Sequence, residues 1–243
     1  MLLRKCVAEG LGTAVLLATV VGSGIMGEQL AGGNVAIALL ANTIATGAGL
    51  VALLLTFGSI SGAHFNPAVT LADASQGGLR WREVPGYLFA QIFGAFLGVA
   101  VAHVMFRQPA LFFASRHERS GVAQLASEFV ATFGLLSVIW GCSRRRPAAV
   151  PFAVGAYIAA AYWFTSSTSF ANPAVTLARA ASDTFAGIRP ADAPGFIVAQ
   201  LLGAATSTAL FRWLVPTLPQ TAPRVVDGSA EAKPEPALLE GDR

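Results

Sequence analysis

The sequence predicts an all-α membrane protein built from six transmembrane helices plus two re-entrant half-helices, arranged as an inverted repeat. Three observations carry that prediction. The 243 residues are 54% hydrophobic and only 12% charged, with a mean hydropathy of +0.61, against about 25% charged residues in soluble domains. Six apolar stretches, near 6–27, 34–58, 84–106, 121–142, 148–166 and 193–214, have the length needed to cross a bilayer. Between them, Asn66-Pro-Ala-Val-Thr-Leu-Ala72 returns unchanged as Asn172-Pro-Ala-Val-Thr-Leu-Ala178.

The first stretch follows Arg4 and Lys5 and so resembles a signal peptide. Glu9 interrupts it, no small-residue cleavage site follows, and it has a counterpart later in the chain, which makes it a retained helix. After the second stretch comes Asn66-Pro67, a helix-starting pair: Asn is a strong N-cap, and Pro suits the first helical position. Too few residues separate Asn66 from the basic loop at Arg80 to cross the membrane, so this helix spans only part of it. The segment from Asn172 to Arg189 is short in the same way.

The remaining stretches pair across the halves. Ala8-Glu9-Gly10-Leu11-Gly12-Thr13 matches Ser127-Glu128-Phe129-Val130-Ala131-Thr132, and the Gly86–Ala95 segment around Gln91 matches Gly195–Ala204 around Gln200. Each half (about 1–110 and 121–215) therefore holds three spans and one half-helix. Because three is odd, the second half enters from the opposite face. In that architecture broken helices meet at the midplane. Irregular backbone at membrane depth is tolerated only where protein buries it or water lines it. Gly62, Ala63, His64 and Phe65, with Thr168 to Ala171, are expected to line such a path.

Eleven Lys and Arg residues fall on the side of the chain ends and five on the other, which places both termini in the cytoplasm. The channel domain is 1–215. Residues 216–243, rich in Pro, Ala and charge, read as a disordered tail. The net charge of +3 and pI near 9.2 come without the aromatic-interleaved basic patch that nucleic acid would require. Cys6 and Cys142 have no metal-ligand spacing, and no metal or other cofactor is expected. Tyr162, Trp163 and Phe164 read as an interfacial belt.

Over residues 5–215 the chain resembles the aquaporin, or major intrinsic protein, family. The resemblance rests on Ser61-Gly62-Ala63-His64-Phe65-Asn66-Pro67-Ala68-Val69-Thr70, on Asn172-Pro173-Ala174, and on the pairs Glu9/Glu128 and Gln91/Gln200. It implies a right-handed bundle with one pore per subunit, homotetramers in the plasma (inner) membrane, and passive movement of water and small neutral solutes. Asn66 and Asn172 would offer amide N–H groups to a passing solute. Glu9 and Glu128 would brace the re-entrant loops through backbone N–H bonds.

The chain departs from the family after the second motif, where relatives carry Arg and this chain has Val175. Carried over by spacing, the constriction is Thr46, Ala160, Ser169 and Val175, a ring with no His, aromatic or Arg. A wide neutral filter of this kind suits water, glycerol, urea and metalloid hydroxides such as arsenous acid. The Val for Arg exchange resembles a bacterial aquaglyceroporin-like subgroup associated with arsenic resistance. Arg179, one turn beyond Val175, and its repeat partner Asp73 are candidate vestibule charges. A coupled secondary transporter is the alternative reading. No nucleophile–base or zinc-binding arrangement points to an enzyme.

Overall fold

A computed structural model describes residues 1–215; the tail expected over 216–243 lies outside the described residues. Among the described residues eight α-helices run in order: α1 (Leu2–Leu30), α2 (Val35–Ser61), α3 (Pro67–Ser75), α4 (Val84–Met105), α5 (Val122–Arg145), α6 (Val150–Phe164), α7 (Pro173–Arg179) and α8 (Ala193–Leu214). Six are long and apolar enough to cross a membrane, α4 and α6 each including a preceding single turn. The exceptions, α3 and α7, are the half-helices. With six crossings, both described chain ends lie on one side of the bundle, called here the terminal side.

Local chemistry explains the element starts. Asn34 caps α2, its side chain accepting from Ala36 and Ile37 N–H groups at 3.1 and 3.2 Å. Pro85, Pro151 and Pro194 each sit in the first turn of their helix, where no intrahelical N–H bond is lost. The fifth span stops two residues earlier than expected, at Phe164, because Thr165 turns extended to feed the second re-entrant loop.

The halves pack alike: α1 lies along α4, and α5 along α8. Both crossings bring backbones into contact. A Cβ on Gly94 would strike the Gly10 carbonyl, and one on Gly203 the Phe129 carbonyl, so only glycine fits. Each half-helix is buried against the other half. Ala68, Val69 and Ala72 of α3 share a core with Leu135, Leu136, Trp140, Val154, Ile158 and Ala204. Ala174, Val175 and Ala178 of α7 share one with Leu17, Val20, Ala95 and Val99. Since neither half closes its core alone, the two motif asparagines are pressed together at the centre.

Candidate functional site

Asn66 and Asn172 hold extended backbone at the N-caps of α3 and α7. The Asn66 Oδ1 accepts from Ala68 N–H at 2.9 Å; that of Asn172 accepts from Ala174 and Val175 at 3.0 and 3.3 Å. Each amide nitrogen then donates across the pseudo-symmetry axis, Asn66 to the Ala171 carbonyl at 2.7 Å and Asn172 to the Phe65 carbonyl at 2.8 Å. A primary amide has two N–H groups, so each asparagine keeps one for the cavity both residues line. Pro67, Ala68, Pro173 and Ala174 are buried behind them and off the cavity wall.

The loops ahead of these caps are held in left-handed backbone at matching positions. Gly62, Ala63 and Phe65 have φ of 89°, 48° and 49°; Thr168, Ser169 and Ala171 have 59°, 50° and 47°. Non-glycine residues adopt this region at a cost of roughly 1–2 kcal/mol each, so something must hold them. Glu9 accepts from the N–H groups of His64 (2.9 Å) and Phe65 (2.7 Å), and Glu128 from Phe170 and Ala171 (both 2.9 Å). Both carboxylates are fully buried. Gln91 and Gln200 complete the braces, each bridging its glutamate to Thr70 or Thr176 of the adjoining half-helix.

The cavity runs past Gly62, Ala63, His64 and Asn66 to Asn172, Ser169 and Val175, with Leu50, Leu54, Leu135 and Ile139 as its apolar wall. Thr46 lines it, but Ala160 does not: Ala160 is exposed on the outside of α6. The cavity face of α6 is Val154, Ile158 and Tyr162, spaced four apart, and Ala160 sits two residues off that stripe, about 200° round the helix. Tyr162 thus occupies the expected alanine position, buried rather than in an interfacial belt, with its hydroxyl directed at Thr46 Oγ1 (3.4 Å). Trp163 and Phe164 remain exposed. Thr168 also lies off the cavity and faces the Arg119 guanidinium.

Both candidate vestibule charges reach the cavity. Asp73 is buried, with His64 Nε2 3.7 Å from its Oδ2. Arg179 is also buried; its Nε donates to the Ala186 carbonyl and its guanidinium carbon lies 3.4 Å from the Phe170 ring centroid. A ring free of aromatic and cationic groups is therefore not what lines this corridor.

On the side opposite the termini, the connection between α4 and α5 folds over the exit of α7. Phe113 and Ser115 donate to the Ala181 and Ala180 carbonyls, and Arg189 to that of His117. The His103 ring bridges the Leu111 carbonyl and Ser182 Oγ, both at 2.8 Å. The Arg116 backbone N–H and guanidinium hold Asp183 below the usual carboxylate range.

Sequence reasoning missed Tyr162, the stacking of Arg119 and Arg179 on Phe170, and the threonine links of the braces. The four-residue spacing of Val154, Ile158 and Tyr162 marks one face of α6. Nothing in that spacing says which face turns inward.

A family model described as Major intrinsic protein matches residues 1–166 and 144–238. The chain is 55% identical over 226 residues to aquaglyceroporin AqpS of Rhizobium meliloti (strain 1021), covering 91% of this chain and 96% of that protein. It is 35% identical over 180 residues to aquaporin NIP1-3 of Oryza sativa subsp. japonica, covering 72% of this chain and 62% of the relative. Among solved structures, the aquaglyceroporin from Plasmodium falciparum superposes with a TM-score of 0.68 at 21% identity, over 90% of this chain and 99% of that one.

Proposed function

The chain belongs to the major intrinsic protein family of transmembrane channels, and from that premise we propose that it conducts water, glycerol and similar small uncharged polar solutes passively. The observation that carries this reading is the pair of asparagines at the centre of the cavity. Each is fixed by its cap and its cross-brace, and each retains one N–H. A solute moving along the apolar wall exchanges its water hydrogen bonds for these donors, while a cation at the asparagine pair meets N–H donors and loses its hydration shell. Glu9 and Glu128 serve as braces because their oxygens are spent on loop N–H groups.

Val175 stands in place of the family's filter arginine, and Ser169, Thr46 and Tyr162 line the same cavity, with the Tyr162 hydroxyl directed at Thr46. Urea and metalloid hydroxides such as arsenous acid fit that polar and aromatic surround as glycerol does. The exposed apolar faces, among them Phe89, Phe93 and Val104 of α4, meet lipid or neighbouring copies in a homotetramer. The termini face the cytoplasm across the plasma (inner) membrane by the basic-residue bias.

Stopped-flow light scattering on proteoliposomes tests this proposal with water, glycerol, urea and arsenous acid. The expected outcome is gradient-driven flux with weak temperature dependence, lost in Asn66→Asp/Asn172→Asp. Saturable flux that requires an ion gradient would overturn it.

A further inference from the structure

The outer end of the corridor holds two guanidinium groups with no carboxylate in direct contact among the described residues. Arg179 is 2% exposed, and its Nε alone bonds protein, to Ala186. Its two terminal nitrogens have no hydrogen-bond partner among the described residues, yet they are not sealed from the cavity that Arg179 lines. Arg119 backs the same ring, its guanidinium carbon 5.0 Å from the Phe170 centroid, and spends Nε and Nη1 on the Gly187 and Ser167 carbonyls and on Thr168. Among the described residues neither guanidinium has a carboxylate oxygen within 4.0 Å; Asp192 meets Arg119 only at its backbone N–H. Asp183, Asp192 and Glu118 pair with Arg116 and Arg189 instead, and Glu128 is spent on Phe170, Ala171 and Gln200.

A buried guanidinium without a partner is costly, and the contact with the Phe170 ring offsets part of that cost. What surrounds the free nitrogens is suited to donate. Ser169 Oγ, on the same cavity, is buried with no hydrogen-bond partner, and Tyr162 Oη makes only the long 3.4 Å contact with Thr46. Guanidinium and hydroxyl donors lining one cavity beside an aromatic ring are chemistry for oxygen atoms that carry negative charge.

The geometry points to a binding site for a small inorganic oxyanion at Arg179, Ser169 and Tyr162, at the end of the corridor away from the termini. The anion docks there and does not pass. The remaining wall is largely apolar, and the carboxylate on the cavity, Asp73, stands toward the terminal side and repels it. An occupied site therefore plugs the mouth against neutral solutes. The site exists whether or not the corridor conducts, so binding and flux are measured separately.

Equilibrium dialysis of radiolabelled inorganic phosphate against the full chain in detergent reads binding directly. Saturable binding is expected, competed by sulfate and not by equal chloride. Binding should weaken roughly tenfold in Arg179→Gln, the scale of one charge-assisted hydrogen-bond set, and less in Arg179→Lys, which keeps the charge. In proteoliposomes, external phosphate should slow water flux in the native chain and not in Arg179→Gln. Absence of saturable phosphate binding to the native chain, or equal affinity in both variants, overturns the site. If phosphate binds but no preparation conducts water, the site stands and the conduit reading fails. Should Arg179→Gln not fold, as shown by water flux lost in phosphate-free buffer, the native-chain binding and the Arg179→Lys comparison still decide.

Discussion

Replacing Glu9 by Gln removes one oxygen and adds an N–H₂ group with almost no change in volume. In the native chain the Glu9 oxygens accept from four donors: Ser61 Oγ at 2.6 Å, His64 N–H at 2.9 Å, Phe65 N–H at 2.7 Å and Gln91 Nε2 at 2.8 Å. Two of these sit on each oxygen. Whichever way the new amide turns, at least one backbone N–H, that of His64 or of Phe65, loses its acceptor and faces another donor, whereas the Ser61 hydroxyl can rotate to accept. A buried donor left unmatched costs about 1–3 kcal/mol, which is the least the substitution costs. Phe65, held at φ 49°, is then free to relax, and its carbonyl leaves the Asn172 amide. The expected outcome is a lower Tm by circular dichroism in detergent, together with reduced water flux per folded protein in proteoliposomes. If Glu9→Gln unfolds at the native temperature and conducts water at the native rate, the carboxylate is not the brace.

Four further substitutions and one change of pH separate the remaining claims. Gly203→Val places methyl groups against the Phe129 carbonyl, where backbone cannot yield, and should cost at least about 1–3 kcal/mol, read as a lower Tm. Tyr162→Ala should raise glycerol flux relative to water, whereas Ala160→Leu, on the exposed face of α6, should leave both unchanged in stopped-flow assays. A reversal of that pair would restore the spacing-based filter. The Asp183 carboxylate is held below its ordinary range by the Arg116 N–H and guanidinium. Its tether is therefore fully present above the ordinary carboxylate value of about 3.9 and is lost as pH falls through the lowered folded value. Hydrogen exchange at the Arg116 amide should quicken over that acidic range, and at all pH values in Asp183→Ala.

Much of this molecule was readable from the chain because its governing signals are local or repeated. Apolar length fixes the six spans, and Asn-Pro starts the two half-helices regardless of what surrounds them. The repeated Glu, Gln and Asn positions pair because both halves solve the same folding problem. The filter was not readable in this way. Both counts cross left-handed loop backbone, at Gly62, Ala63 and Phe65 and at Thr168, Ser169 and Ala171, which carries no helical register. Counting from Asn66 reaches Thr46 on the cavity, and counting from Asn172 misses the cavity face of α6 by two residues. An error of two residues on a helix is more than half a turn.

Local pattern along the backbone suffices for how many times the chain crosses, where helices break, and that its halves oppose one another. That Tyr162 and Arg179 face the corridor, and that each half-helix completes the core of the other half, emerges from packing between distant segments. Those outcomes depend on the rotation of α6 and α7 about their own axes. That rotation is set by packing against residues far away in the chain, which no local pattern records.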